Sequence, residues 1–379
     1  MKWADCLKKG TNTEKKAFSV KFMLCLALTA GLFALCLTEN GAQRALMAGT
    51  ALTYPDFLIK SLKPAEKPAV LTNSGSEQKQ TENLAPQANE NTVKAVPDDV
   101  SKLMAEAEIK YANSKQDGKI ITENHSKRNA TDEYNGVYLR NATLSHTVNL
   151  QEILSREITA AVDKNLPAVL IYHTHTCESY ELLDRGFYTN ERSTRSENSA
   201  ENTVRVGEEL ASALREKGYK VIHDTSVYDE QYSGAYDRSR ANVVKILKEN
   251  PSIQVVLDIH RDSISLKDGS RIKPTAQVNG INSAQIKIIT GCEEGGVADF
   301  PNWEKNLIFA AKLQSVTADD YPELLTPLMF CSRKYNMDLI PCALQIEIGS
   351  DANTLSEAVY SARLLGNSLS KILKECEIK

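Results

Sequence analysis

Three segments of the chain carry side chains that suit metal-assisted hydrolysis. They are "YHTHTCESY", "DIHRDS" and "LQIEIG", and each lies in or directly after an apolar run that predicts a buried strand. A hydrolytic zinc is usually held by imidazoles and a carboxylate, and a separate carboxylate takes the proton from the attacking water. We therefore predict a Zn²⁺ site with His175, Glu178 and His260 as candidate ligands and Glu347 as the candidate catalytic base.

Other polar residues near these segments have more than one candidate role. Asp258 shares a strand face with His260, because alternate residues of a strand point to one side, so its carboxylate either orients the imidazole or is a solvated group at the strand end. Arg261 and Asp262 either contact substrate or form an ion pair that shapes the loop. His223 ends another predicted strand, where it is a rival ligand or a structural or substrate-facing residue.

Serine, cysteine and nucleic-acid chemistry have little support in the sequence. There is no GxSxG segment, and Cys177 would need a histidine brought to it from elsewhere in the fold to act as a nucleophile. The eight cysteines are scattered without CxxC spacing, which indicates neither a disulfide framework nor a zinc knuckle. A net charge of -4 and the lack of a basic face predict no nucleic-acid partner.

Strands that alternate with helices are expected to position the three segments. From about residue 146, apolar runs such as "AVLIY", "IQVVLDIH" and "ALQIEIG" predict strands, and stretches such as "NWEKNLIFAAKLQSVTADD" predict helices. This order predicts an α/β fold with a mostly parallel central sheet and helices on both faces. Ligands of such sheets bind beyond the carboxyl ends of the strands, so the three segments are expected to meet there.

The N-terminal part predicts a membrane anchor followed by a spacer. Residues 1–16 carry lysines and would be cytoplasmic, and residues 17–38 are apolar enough for one transmembrane helix, which places the bulk of the chain outside the cell. A cleaved signal peptide is the alternative. Residues 39–145 are polar and predict a largely disordered, flexible linker with a short helix in "DDVSKLMAEAEIKYANSK", and residues 146–379 form the predicted catalytic domain.

The chain resembles the stage II sporulation protein P family over about residues 165–378. The segments that carry the resemblance are "YHTHTCESY", "DIHRDS" and "YNMDLIPCALQIEIGSDANTLSEA", in this order. Members of the family are membrane-anchored cell-wall hydrolases of endospore-forming bacteria, and they are similar to zinc-dependent N-acetylmuramoyl-L-alanine amidases. The resemblance implies an amidase-like fold.

The resemblance also bears on individual site residues. It implies His175 and His260 as ligands and Glu347 as the catalytic residue, with Asn353 at the matching offset and His173 as a ligand or its support. An H-x-x-E-S motif points to Glu178 as the carboxylate ligand, whereas the longer loop of the broader amidases would point to Glu197 or Glu201.

The activity that the resemblance implies is hydrolysis of the amide between MurNAc and L-Ala. Cleavage of peptide cross-links by a DD-endopeptidase activity is implied as well, in septal peptidoglycan during engulfment of the forespore. The implied partners are stage II sporulation proteins D and M, with the cell membrane bound through the N-terminal helix. Two other functions remain open: a non-enzymatic wall-binding scaffold and a metal-dependent glycan deacetylase.

Overall fold

Two β-sheets form the framework of residues 96–378, which are the residues that the computed structural model describes. The strands are, in chain order, β1 (Gly118–Glu123), β2 (Asp132–Tyr134), β3 (Val137–Asn141), β4 (Pro167–Tyr172), β5 (Phe187–Tyr188), β6 (Lys220–His223), β7 (Val255–Asp262), β8 (Arg271–Val278), β9 (Ile281–Ala284), β10 (Ile286–Gly291), β11 (Leu328–Cys331) and β12 (Ala343–Ser350). The larger sheet has the order β2-β3-β11-β10-β12-β7-β4-β6, and the smaller sheet has the order β5-β1-β8-β9.

Helices of the same residues flank the sheets. In chain order they are α1 (Asp98–Lys110), α2 (Leu150–Ser155), α3 (Thr203–Glu216), α4 (Ala235–Glu249), α5 (Trp303–Asp320) and α6 (Leu355–Glu375). The start of α6 is fixed by a capping box, in which the Thr354 side chain accepts a hydrogen bond from the Glu357 N–H and the Glu357 carboxylate accepts one from the Thr354 N–H. This cap holds the chain directly after β12, the strand that carries Glu347.

The larger sheet is mixed, so the prediction of a mostly parallel sheet is wrong. Strands β12, β7, β4 and β6 are parallel neighbours, whereas β10 pairs antiparallel with β12 and parallel with β11. The connections explain the reversal. Helix α5 returns the chain from β10 to a parallel β11, but β11 and β12 are joined by residues 332–342, which contain no helix.

Opposite faces of the larger sheet pack against different helices. In β4, Val169 and Ile171 belong to a large core that includes residues of α3, α5 and α6. Leu170 and Tyr172 belong to a smaller core that includes Val243 of α4. This is the period-two alternation of a strand, and each fully buried aliphatic side chain contributes about 1.5–3 kcal/mol. Helices therefore cover both faces, and each face presents different residues at the strand ends.

The folded part begins earlier than the boundary predicted at residue 146. Residues 96–145, which the sequence assigned to the linker, form α1 and the strands β1, β2 and β3. Their signal in the sequence is weak because β1 is only partly buried, with intermediate and exposed residues interspersed. The predictions for residues 1–16, 17–38 and 39–95 lie outside the described residues.

Within residues 96–378, no helix combines the length and the hydropathy that a membrane span requires.

Candidate functional site

The three predicted segments meet at one edge of the larger sheet. Strands β4, β7 and β12 are adjacent and parallel, with Tyr172 in register with Asp258 and Glu347 in register with His260. Asp258, His260 and Glu347 all alternate onto the face of the smaller core, below α4. The parallel direction of these three strands thus places their polar side chains together.

His260 lies between two carboxylates. Its Nδ1 is 3.4 Å from Glu178 Oε2 and its Nε2 is 2.9 Å from Asp258 Oδ1. The Nε2–H does not point along a hydrogen bond, so the contact with Asp258 is mainly electrostatic. Burial alone would lower the pKa of His260, but Asp258 and Glu178 together raise it well above its usual value.

Neighbouring backbone and hydroxyl groups hold both of these carboxylates. Asp258 accepts hydrogen bonds from the Thr174 N–H at 2.8 Å and from the Thr174 hydroxyl at 2.7 Å. Glu178 accepts one from the Arg261 N–H at 3.1 Å. The residue between the two histidines of "HTH" therefore fixes the partner of the third histidine, His260.

His175 lies at the rim of the site under an aromatic ring. Tyr232 stacks on its imidazole with ring centroids 4.5 Å apart, and the His260 ring meets it edge-on at 5.2 Å. Burial lowers the pKa of His175, which favours the neutral imidazole. Among residues 96–378, its buried Nδ1 has no hydrogen-bond partner, and a carboxylate oxygen of Asp229 lies 3.9 Å away.

Glu347 is a partly buried residue whose two carboxyl oxygens have different surroundings. Its Oε1 accepts a hydrogen bond from Gln345 Nε2 at 2.8 Å, whereas its buried Oε2 has no hydrogen-bond partner in the described part of the chain. Burial raises the pKa of Glu347 to about 7, and the negative charges of Asp262 and Glu178 act in the same direction. A carboxyl group with a pKa near the working pH is suited to proton transfer.

The donor groups fit a zinc ion in type and in part in spacing. Two ligands at about 2.0–2.2 Å from a tetrahedral zinc lie about 3.3–3.6 Å apart, which matches the 3.4 Å between His260 Nδ1 and Glu178 Oε2. The unpartnered His175 Nδ1 is a third donor of the right kind. Within residues 96–378, however, no three such side chains already surround one point closely enough to hold a metal ion. His175 would therefore have to approach the other two.

Three further predicted residues support the strand ends with their side chains. Arg261 donates to the carbonyl oxygens of Ser179 and Thr194, which ties down the loop after β4. Asp262 forms an ion pair with Lys287 of β10. Asn353 accepts from the Ser350 N–H at 2.9 Å and donates to Glu357, so it closes the turn after β12.

The structure separates the rival ligands from the site. His173 and His223 contact each other, with their Nε2 atoms 2.9 Å apart, on the α3 side of the sheet. Glu197 is exposed, and Glu201 forms an ion pair with Arg192 at 3.0 Å. Among the alternative carboxylates, Glu178 is therefore the one beside His260.

Cys177 does not have the properties of a nucleophile. Its side chain is buried, and burial together with Asp229 raises the pKa of the thiol to about 12. The reactive form of cysteine is the thiolate, which such a pKa excludes near neutral pH.

Sequence reasoning missed several residues that surround the site. Tyr236 of α4 stacks on His260 at 6.4 Å, and its hydroxyl donates to Gln345 at 3.1 Å. Tyr232 covers His175, and Lys287 lies directly opposite Glu347 in the antiparallel pair of β10 and β12. Thr174, which holds Asp258, was also missed, although it lies inside the segment "YHTHTCESY". The two tyrosines lie in "DEQYSGAY", which has no periodic or motif signal.

A substitution at Gly349 tests how closely the end of β12, the strand that carries Glu347, packs against its neighbours. Its φ is +69°, and an added Cβ would lie 2.8 Å from Asn353 Oδ1 and 2.9 Å from Ala284 Cβ. We expect Gly349→Ala to lower the free energy of unfolding by about 1–3 kcal/mol, measured by denaturant titration. Gly295→Ala is the control, because its φ is +61° and no atom of the described residues lies within 4 Å of the added Cβ. Equal losses in the two variants would show that the contact with Asn353 does not matter.

Comparison with known proteins identifies the family. The sequence model described as Stage II sporulation protein P (SpoIIP) matches residues 60–370. Stage II sporulation protein P of Bacillus subtilis (strain 168) is 29% identical over an alignment of 221 residues, and the match covers 55% of this chain and 52% of that protein. The match thus spans about half the length of this curated relative.

Solved structures that are similar to the chain include three amidases with low identity. The N-acetylmuramoyl-L-alanine amidase AmiC2 of Nostoc punctiforme has a TM-score of 0.34 and 12% identity, covering 56% of this chain and 99% of that one. The CwlD amidase from Clostridioides difficile, in complex with the GerS lipoprotein, has a TM-score of 0.34 and 13% identity, covering 55% of this chain and 99% of that one. The catalytic domain of CwlV from Bacillus (Paenibacillus) polymyxa var. colistinus has a TM-score of 0.31 and 12% identity, covering 55% of this chain and 99% of that one. Because the family model covers most of the sequence, the chain belongs to the stage II sporulation protein P family.

Proposed function

We propose that this chain is a zinc-dependent peptidoglycan hydrolase that cleaves the amide between MurNAc and L-Ala and also peptide cross-links. The single observation that carries the proposal is the meeting of Glu178, His260 and Glu347 at the ends of adjacent strands. Among residues 96–378, His175 Nδ1 and Glu347 Oε2 have no hydrogen-bond partner, which leaves both atoms available to a ligand and adds to the proposal. Membership of a sporulation family supports a cell-wall substrate.

In the proposed mechanism, the protein holds the reacting groups and moves one proton. His175, Glu178 and His260 would hold the zinc, which when bound supplies a Lewis acid that polarises a carbonyl oxygen and lowers the pKa of water to about 7. Glu347 accepts the proton of the attacking water at Oε2 and delivers it to the leaving amine. The hydrogen bond from Gln345 keeps the other oxygen of Glu347 in place.

The surrounding residues keep the imidazoles oriented and shielded from water. Thr174 fixes Asp258, and Asp258 in turn faces His260 Nε2, which leaves Nδ1 for the metal. The rings of Tyr232 and Tyr236 cover His175 and His260. A less hydrated site strengthens the electrostatic interactions between Glu347 and its neighbours.

The biological setting that we propose follows from the family and from the N-terminal sequence. The chain would be anchored in the cell membrane by residues 17–38, with its catalytic domain on the outer side, facing the septal wall during engulfment. Stage II sporulation proteins D and M are the proposed partners. The resemblance of the sequence to the family supports this setting.

Removal of the metal tests the proposal. We expect a chelator to reduce release of wall fragments by the full chain to background, and added zinc to restore it, because Glu347 has no activated water without the metal. Mass spectrometry of fragments released from insoluble wall material measures the effect. Undiminished release from protein shown to be free of zinc would refute the proposal. Release of acetate instead of stem peptide would indicate a deacetylase, and binding without release a scaffold.

A further inference from the structure

A second pair of histidines lies behind the candidate site, on the opposite face of the larger sheet. His173 continues the alternation of Ile171 towards the large core and is fully buried, and the His223 side chain is only 3% exposed. The Nε2 atoms of the two imidazoles are 2.9 Å apart. At the outer ends, His173 Nδ1 lies 3.0 Å from the Ile259 carbonyl oxygen, and His223 Nδ1 lies 2.8 Å from Glu208 Oε2.

The order of hydrogen bonds in this row is fixed by its two ends. A carbonyl oxygen only accepts, so His173 Nδ1 must donate to Ile259, and His173 Nε2 then accepts from His223 Nε2. The 2.8 Å contact between His223 Nδ1 and Glu208 Oε2 also requires a proton, so the row with all three contacts hydrogen-bonded holds one proton more than two neutral imidazoles and a carboxylate. Arg215 holds the other oxygen of Glu208 at 2.7 Å. Every nitrogen of the pair is therefore used, and neither histidine has an atom left for substrate or metal.

The neighbouring helix has a glycine where it packs against this pair of imidazoles. Gly207 lies inside α3, where glycine is less favourable than alanine by about 0.8–1.0 kcal/mol. A Cβ at this position would lie 2.5 Å from His173 Cε1 and 3.0 Å from His223 Nε2. The helix thus approaches the imidazoles too closely for any side chain, which holds them against the sheet.

The His173 end of the row lies beside the backbone that leads to the two candidate imidazole ligands, His175 and His260. His173 directly precedes Thr174 and His175, and the carbonyl oxygen that it binds belongs to Ile259, the residue before His260. The hydrogen bond at 3.0 Å therefore joins the residue that follows β4 to the middle of β7. A change in the position of His173 would shift the backbone at both ligands.

We propose that Glu208, His223 and His173 form a positioning row that fixes the backbone from which His175 and His260 would reach the zinc. The inference rests on the proposed function, because it concerns the same metal. None of the three residues contacts the reacting atoms. Outer partners of metal ligands typically change metal affinity by about 10–100-fold when they are removed, and a row one step further out should lie at the lower end of that range.

The test measures the zinc dissociation constant of the full chain by competition with a chelator of known affinity. His223→Leu keeps the volume but removes the donor to His173, and we expect it to weaken zinc binding about 10-fold. Glu208→Ala, at a partly exposed position, should weaken it less while the chain stays folded. Glu208→Gln should restore most of the affinity, because its amide can donate to the free Nδ1 of His223.

A neighbouring variant controls for a general loss of stability. Ile222→Ala removes packing in β6 next to His223 without touching the row, and thermal unfolding shows whether it matches the stability loss of His223→Leu. We expect its zinc affinity to remain that of the wild type. Unchanged affinity in folded His223→Leu and Glu208→Ala would overturn the inference while leaving the zinc site standing. A wild-type chain that binds no zinc would contradict the proposed function and the inference together.

Discussion

Replacing Glu347 by Gln is expected to lower kcat for release of stem peptide by about 10²–10⁴-fold and to leave the zinc content unchanged. The amide has the size of the carboxyl group and can still accept the hydrogen bond from Gln345, so the strand end stays in place. It cannot take a proton from water at neutral pH, which is the one step assigned to Glu347. Mass spectrometry of released fragments and elemental analysis of the purified chain measure the two quantities.

A second carboxylate of the same type provides the control for this result. Glu197 is exposed on the loop before α3 and has no contact with His260, so Glu197→Gln should retain activity and zinc within about twofold. If Glu347→Gln remained as active as this control, Glu347 would not be the base. If it lost zinc as well as activity, Glu347 would be a ligand instead.

The meeting of the three segments could be predicted because it depends on strand periodicity and direction alone. Apolar runs ending at Tyr172 and around His260 predict strands of the kind observed, and parallel neighbours bring their carboxyl ends together. Period two also predicts that Gln345 shares a face with Glu347, and the two are hydrogen-bonded at 2.8 Å.

The same rule explains the position of His173, which the sequence left open. Counting from Ile171, period two directs His173 to the α3 side, away from Asp258 and His260. Strand periodicity could not predict which residue His173 contacts. His223 is 50 residues further along the chain, and the contact depends on a close approach of α3 at Gly207.

The direction of the remaining strands could not be read from alternating elements. Two hairpins interrupt the alternation, β2–β3 and β8–β9, and each turns at an Asn-Gly pair with positive φ, at Asn135 and Gly136 and at Asn279 and Gly280. Asn-Gly between short β-prone runs is a strong hairpin signal, so these turns were available in the sequence. The antiparallel pairing of β10 with β12 has no such local signal, because the partners are more than 50 residues apart.

Replacing Glu178 by Gln is expected to weaken zinc binding by more than the roughly 10–100-fold that loss of an outer partner costs. The neutral amide oxygen is a poorer ligand than a carboxylate. The substitution also removes the negative charge that lies 3.4 Å from His260 Nδ1. Since the Arg261 N–H can still donate to the amide oxygen, the loop should keep its path. The zinc dissociation constant, measured by chelator competition on the full chain, reports the change.

Glu201→Gln decides between Glu178 and Glu201, two of the three carboxylates that the sequence left open. Glu201 is engaged by Arg192 and by the Ser196 hydroxyl at 2.8 Å, so its loss should affect the loop but not the zinc affinity. The opposite pattern, with zinc lost in Glu201→Gln and kept in Glu178→Gln, would mean that the loop of residues 189–202 rearranges when the metal binds. In that case the 3.4 Å contact of His260 with Glu178 would belong to the metal-free arrangement alone, and the third ligand would have to come from the start of α3.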